Sequence, residues 1–382
     1  MQKIKVVEFF GEPLNYGGQE AFAINLYSKI SNDRFDFTFI TPFECQNTKL
    51  KGMIEQNGDN LIVENNEFET KLRKKHIIST AKKLLDNTYD VIHIHSGSVF
   101  TLYNVARIAK KAGIKKVIAH SHSTGENTIK YRIIKFISDL FIDKYVDYYF
   151  ACSKEAGIWK FPSRIIDSDK FYVIKNGIDV DSFKFDPKIR EQYRKEFKID
   201  NKNVICTIGR YAKEKNPLFT LETFLNYLKI DKNGFLVMIG GGGELEEKMH
   251  EYIEENDLKK NVSILKNRAD ISNLLSMSDV YLMPSVWEGL GIAAIEAQAA
   301  GIPILCSENI LDDVNLTSLF HRKTLSDGAE SWARAIYELV KKHERKDERS
   351  KIKKSGFDIS SSVLKIEEIY VRNGKGNYEK NN

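Results

Sequence analysis

Pro284-Ser285-Val286-Trp287-Glu288-Gly289-Leu290-Gly291-Ile292-Ala293-Ala294-Ile295-Glu296-Ala297 is the stretch on which the fold turns. Two glutamates stand eight positions apart, with two glycines just after the first. The apolar run before it, Asp279 to Met283, reads as a buried strand. The small-residue run after it, Ala293 to Ala300, reads as a helix stopped by Gly301 and Pro303. Glu288 then belongs to the loop at the carboxyl end of a strand, and Glu296 lies about one turn inside the next helix. In parallel α/β sheets that edge is where ligands bind. Helix-start amides, at Leu290 to Ile292, attract anions. A carboxylate beside a phosphate repels it, so the glutamates are better suited to accept protons from hydroxyl groups. Phosphates and sugar hydroxyls held together make a nucleotide-sugar site. The competing account is a helix cap plus a solvated glutamate.

Outward from this stretch the chain alternates short apolar runs with helical patterns. The expected strands are Lys5–Phe10, Phe35–Thr41, Val91–His95, Lys116–His120, Tyr148–Ala151 and Phe171–Ile174, then Val204–Thr207, Phe235–Ile239, Val262–Leu265, Val280–Met283 and Ile304–Cys306. Each is brief and continuously apolar, as strands covered on both faces should be. Glu20–Ile30, Ile77–Leu85, Leu102–Ala112, Leu218–Leu228 and Leu245–Glu255 read as helices between them. This alternation implies parallel sheets with right-handed crossovers. The pattern restarts once. Asn176-Gly177-Ile178-Asp179 is a turn, Pro187–Phe197 a charged helix, and Asn201-Lys202-Asn203 leads into a fresh strand. The boundary is placed near Phe183 to Asp186, giving two Rossmann-like α/β domains, 1–184 and 185–357, that face each other across a cleft. The end, from Asn373, reads as a frayed tail.

With 382 residues, 42% hydrophobic and 29% charged, the chain has the composition of a soluble two-domain protein. Cys45, Cys152, Cys206 and Cys306 are scattered without a Cys-x-x-Cys pair. They read as reduced thiols of a cytoplasmic protein rather than a disulfide frame or a zinc site. The first residues read as a strand rather than a signal peptide, and no apolar run is long enough to span a bilayer. Net charge is only +5, but eight Lys or Arg and one acid, Glu126, fall between Arg107 and Lys135. Lys71-Leu72-Arg73-Lys74-Lys75 adds a second cluster. Such runs form solvated faces, or dock on anionic lipid at roughly 1 kcal/mol per basic residue. No recognition-helix, zinc-finger or RNA-binding pattern points to nucleic acid.

Other candidate site residues follow strands. Gly209-Arg210-Tyr211-Ala212-Lys213-Glu214-Lys215-Asn216 lets Arg210 and Lys215 converge on one anion, the first as a planar fork and the second as a point charge. Gly17-Gly18 opens a helix after the first strand, where glycines let backbone amides approach a phosphate. The spacing is not Gly-x-Gly-x-x-Gly, so it does not read as dinucleotide binding. Gly240 begins a tight turn after Phe235–Ile239. His120-Ser121-His122-Ser123 and His93-Ile94-His95 end two strands of the first domain, where a histidine can orient or polarise a hydroxyl. His122 and His120 are competing registers for that role.

Together the motifs resemble the family 4 retaining GT-B glycosyltransferases. Pro-Ser, Glu-Gly-x-Gly and Glu-Ala-x-Ala-x-Gly-x-Pro occur in register with that family's signature, and Gly-Arg with Lys five residues beyond Arg is similar to its phosphate clamp. The resemblance covers nearly the whole chain and is strongest from Asn176 to Pro303. It implies that Glu288 lies near the transferred sugar, that Glu296 binds the nucleotide ribose, and that Leu290, Gly291, Ile292, Gly240 and the backbone at Asn267 line the donor. It further implies that Gly17 and Gly18 close over the donor phosphate, that His122 touches donor sugar or acceptor, and that His95 lines the cleft. It places the last helix, 358–372, back on the first domain. A nucleotide-sugar, most often a UDP-sugar, is then a substrate, and no cofactor or metal is expected. No Asp-x-Asp pair occupies a suitable strand-end loop. The form of Glu296–Pro303 and the His-Ser-His-Ser segment are closest to enzymes building capsule or exopolysaccharide, which take a glycan or lipid-linked acceptor at the inner membrane face. Asn216-Pro217 departs from the usual Lys-Gly, and Ile292-Ala293-Ala294 from bulkier residues. Two rival readings stay open: a nucleotide-sugar epimerase or hydrolase of the same fold, and a non-catalytic partner of a membrane transferase.

Overall fold

The computed structural model describes residues 2–15, 18–67, 69, 72–122, 128–266, 268–342 and 344–372. The chain divides into two compact units, Met1–Gly177 with Ile359–Asn382, and Ile178–Asp358.

In the first unit seven strands form one parallel sheet: β1 (Ile4–Phe10), β2 (Phe35–Thr41), β3 (Asn60–Val63), β4 (Val91–Ser96), β5 (Lys116–Ser121), β6 (Tyr148–Ala151) and β7 (Phe171–Val173), in the order β3-β2-β1-β4-β5-β6-β7. Alternate side chains of each strand enter different cores: Val6 and Phe10 go to one, Val7 and Phe9 to the other. Helices cover both faces, which is why β1 is apolar from Val6 to Phe10 except at Glu8. The order reverses between β1 and β4, so the carboxyl ends of these two strands flank a topological switch point. Register sets Glu8 opposite His93 and Phe10 opposite His95, and His95 in turn opposite His120.

The second unit repeats the plan with six parallel strands: β8 (Asn203–Ile208), β9 (Gly234–Ile239), β10 (Val262–Leu265), β11 (Val280–Met283), β12 (Ile304–Ser307) and β13 (Phe320–Lys323), in the order β10-β9-β8-β11-β12-β13. Its switch point lies between β8 and β11. The loops after these two strands carry Arg210, Lys215 and Glu288.

Three details differ from the sequence reading. The boundary falls at Gly177/Ile178 rather than near Phe183, because Ile178, Val180 and Phe183 are buried in the second core. β3 and β13 are edge strands with half-exposed, partly polar sequences, which weakens their apolar signal. The helix Ile129–Phe141 also went unread and is described below. The helix Ile359–Val371 packs into the first unit through Ile359, Val363, Ile366, Ile369 and Tyr370. The tail from Asn373 lies outside the described residues.

Candidate active site

Glu288 sits in the loop that follows β11 and is 8% exposed. It is held from two sides. Ser285 Oγ donates to its Oε1 at 2.8 Å, and Lys215 Nζ lies 2.6 Å from both carboxylate oxygens. A carboxylate this buried needs such partners. Lys215 ends a 3-10 turn, Lys213–Lys215, after which Asn216 takes a left-handed conformation (φ 54°) and Pro217 opens the next helix. Pro217 suits that first position because a helix start has no use for its missing N–H. The two loops are tied together where Val286 N donates to Glu214 O at 2.8 Å. Arg210, on the same loop, is largely exposed and pairs with Glu214. Arg210, Lys215, Gly209, Thr220, Met283 and Ser285 line one pocket at the carboxyl ends of β8 and β11. Both cations thus meet at one pocket, each occupied by a carboxylate.

The surrounding glycines have steric reasons. A Cβ on Gly240 would lie 1.9 Å from Gly209 O, so β8 and β9 meet closely only without one. Gly291 caps the helix Ile292–Ala299 with φ 83°. Leu290 and Ile292 are half-buried and pack on the second core. Glu296 is half-buried one turn into that helix. Below them Tyr281 is fully buried. Burial first, then the Glu288 carboxylate, then Cys206 and Glu296, push its hydroxyl well above its ordinary range, so both glutamates act on one buried ring. Gly18 is exposed at the start of the helix Gly18–Tyr27. Gly17 and Asn267 lie outside the described residues.

In the first unit the two histidine pairs come together as one buried cluster. His93, His95 and His120 have no exposed surface, and the rings of His120 and His122 stand 4.0 Å apart, as do those of His93 and His95. Phe22 packs against His120 and His122, and Phe10 stacks on His95 at 4.7 Å. His95 Nε2 lies 2.5 Å from Glu8 Oε2, and His95 Nδ1 lies 2.9 Å from His122 Nε2. Burial, then the neighbouring His93, lower the His95 pKa to about 4. Burial, then neighbouring imidazoles, likewise hold His120 and His122 well below the ordinary histidine range. Burial alone would raise the Glu8 carboxyl, but His93 and then His95 overcome it and hold it well below the usual carboxylate range. Nitrogens of His93, His95 and His120 all lie within 4.8 Å of one another, a spacing that one metal ion can also bridge.

Glu8 and Tyr370 are the members that sequence reasoning missed. The signal was present: one carboxylate in a strand buried on both faces requires partners at the same depth. Also missed was the exposed helix Ile129–Phe141. Ile129, Ile133, Phe136, Ile137 and Leu140 are 78%, 57%, 65%, 46% and 55% exposed. Their helical spacing is that of a core-facing stripe, but this stripe faces outward.

Comparisons with known proteins give the family and the fold. Residues 16–182 match the family described as Glycosyltransferase Family 4, and residues 189–356 match Glycosyl transferases group 1. The UDP-Gal:alpha-D-GlcNAc-diphosphoundecaprenol alpha-1,3-galactosyltransferase of Escherichia coli is 28% identical over 97% of this chain and 93% of its own length. The capsular polysaccharide biosynthesis glycosyltransferase CapH of Staphylococcus aureus is 22% identical over 96% of this chain and 99% of its own. Among solved structures, HepE of Anabaena in complex with UDP-glucose superposes with a TM-score of 0.70 at 17% identity, covering 95% of this chain and 98% of that one. The fold is that of the GT-B enzymes. The chain belongs to the family 4 glycosyltransferases and is a glycosyltransferase.

Proposed function

We propose that the chain is a retaining transferase that moves a hexose or N-acetylhexosamine from a UDP-sugar to a lipid-linked glycan acceptor during capsule or exopolysaccharide assembly. The observation that carries this reading is the pocket lined by Arg210 and Lys215, with Glu288 held beside it by Lys215 and Ser285. Lys215 is paired with Glu288. An arriving diphosphate offers Lys215 and Arg210 a more strongly charged partner. Glu288 is then free to accept hydroxyl protons from the sugar, and Glu296 does the same for the ribose. The two cations supply the charge that the leaving diphosphate requires, so the site asks for no metal or cofactor. In the chemical step the bond between the anomeric carbon and the phosphate oxygen breaks. A bond to the acceptor oxygen forms on the same face, and the acceptor proton passes to the leaving phosphate. Configuration is retained without an enzyme nucleophile. His122 and His95, with His120, belong to the sugar and acceptor side. The donor in the E. coli relative's name is UDP-Gal and its acceptor is a diphosphoundecaprenol-linked sugar, which supports both halves of the reading.

A lipid-linked acceptor requires the enzyme to reach a membrane surface. Among the described residues no helix is long and apolar enough to cross one. The helix Ile129–Phe141 instead offers an outward apolar stripe beside the exposed Arg132. This combination suits shallow insertion among anionic headgroups at the inner membrane face. The test of function is a transfer assay with UDP-hexoses and polyprenyl-diphosphate-linked sugars. Acceptor-dependent release of UDP with an α-linked product supports the reading. Conversion of the donor without an acceptor would instead favour an epimerase or hydrolase.

A further inference from the structure

Trp287 is the residue of the Glu288 loop that the proposed chemistry leaves unused. Trp287 and Val286 are 61% and 51% exposed, whereas Glu288, the next residue, is 8% exposed. Adjacent positions thus turn an indole outward and a carboxylate inward. Tryptophan is on average a well-buried side chain, so an indole left this open needs a reason. The loop that carries it is pinned. Val286 N donates to Glu214 O at 2.8 Å, and Trp287 N donates to the same oxygen at 3.4 Å. Ser307 Oγ donates to Ser285 O at 2.5 Å, and Ser285 Oγ and Lys215 Nζ hold the Glu288 carboxylate. The backbone is therefore fixed on both sides of the indole, while the ring itself is unused. Trp159 stacks on Tyr131 and Trp332 meets Phe219 edge-on, but among the described residues Trp287 has no such partner.

A rigid indole gives a ligand a large contact area at little entropic cost. The surface it offers is flat, apolar and uncharged, with a single N–H at its edge. A pyranose fits such a surface, because its C–H groups form an apolar face while its hydroxyls project from the rim. Two sugars take part in the proposed reaction. The donor's diphosphate is assigned to Arg210 and Lys215 and its sugar to Glu288, all on the inner side of the loop. The outer side is left to the sugar that arrives from solvent.

We propose that Trp287 is a specificity-determining residue of the acceptor side, a platform on which the acceptor's terminal sugar ring stacks. The inference rests on the transferase reading given above. The platform favours an acceptor that presents an open apolar ring face, and it gives a prenyl diphosphate without a sugar nothing to hold.

Fluorescence of the full chain reads the platform without turnover. The difference between wild type and Trp287→Phe isolates the Trp287 emission, since Trp159 and Trp332 are common to both. The probes, added with UDP, are farnesyl diphosphates carrying glucose, galactose, N-acetylglucosamine or N-acetylgalactosamine. At least one should shield the difference signal from acrylamide quenching, and farnesyl diphosphate alone should not. With the shielding compound as acceptor, Trp287→Ala should raise acceptor KM by ~10-fold or more, the scale of a truncated aromatic anchor, with donor KM within about twofold. Trp287→Phe should recover most of that loss. Equal shielding by farnesyl diphosphate would assign the indole to the lipid and overturn the proposal. So would shielding by none of the four sugars, an unchanged acceptor KM in Trp287→Ala, or a donor KM raised as much. Shielding by a sugar in a chain that transfers none would fault the functional reading and leave the platform standing.

Discussion

Lys215 and Glu288 illustrate how one pair serves two states. Each satisfies the other at the rim of the second sheet; in the proposed reaction a diphosphate takes over Lys215. Lys215→Ala leaves Glu288 with the Ser285 hydrogen bond alone. It should cost on the order of 1–3 kcal/mol of stability, the penalty for a buried group losing a partner. Its effect on transfer should be larger. Lys215→Ala and Glu288→Gln are each expected to lower kcat/KM by roughly 10²–10³-fold, the scale of a lost transition-state donor, while thermal unfolding stays cooperative. Steady-state kinetics beside a melting curve separates the two effects, and wild-type rates in both variants would refute the site. At this scale the sequence was most informative. That Arg210, Lys215 and Glu288 come together was readable because their loops follow the neighbouring strands β8 and β11 at the same edge of one parallel sheet. That Glu8 needs buried partners was readable, but their identity was not, because nothing in the spacing of a single carboxylate reveals which imidazoles lie across the sheet.

At the scale of elements, two features carry measurable consequences. The strands β1, β4 and β5 bury Glu8, His95 and His120 together, with His122 just beyond β5. An unfolded chain protonates a histidine near its ordinary value of 6.5, whereas folded His95 does so only near about 4. Between these values the unfolded state binds the extra proton. Stability is therefore fully kept above 6.5 and falls as pH drops toward 4, by about 1.4 kcal/mol per pH unit for each such histidine. His120 and His122 act in the same direction, and Glu8 adds a loss below its ordinary carboxylate range as it is forced to protonate. The melting temperature should drop between about pH 7 and about pH 5, less steeply in His120→Phe. A flat profile would contradict the neutral, buried histidines. The second feature is the helix Ile129–Phe141, whose apolar spacing alone would have suggested a core element. Only the fold shows that the stripe is left uncovered. Co-sedimentation with anionic vesicles should be at least about tenfold weaker in an Ile133→Glu/Phe136→Glu double variant, since each side chain contributes about 1.5–3 kcal/mol on burial. Equal binding by both proteins would remove this helix from the membrane contact.

At the scale of the molecule, the alternation of apolar runs and helices was enough to give two parallel α/β units, because strands covered on both faces cannot hide their composition. The buried strands β2, β6 and β11 stand where the sequence places them. What was not legible was the edge strands β3 and β13, whose runs are broken by Asn60 and by His321, Arg322 and Lys323, and the boundary. Val180 and Phe183 resemble linker residues until they are seen filling the second core. The return of the last helix to the first unit follows from Ile359, Val363, Ile366 and Ile369, four apolar residues at helical spacing that the first core buries.

The central claim is that the pocket lined by Arg210 and Lys215 binds the diphosphate of a UDP-sugar. The most direct measurement is thermal stability of the wild type and Lys215→Ala against UDP, GDP, ADP and their common sugars. A ligand at 100 times its dissociation constant stabilises by about 2.7 kcal/mol. The account predicts such a shift with UDP and a UDP-sugar, absent with GDP and ADP and lost in Lys215→Ala. No shift with any nucleotide, or a shift that survives the substitution, would contradict it.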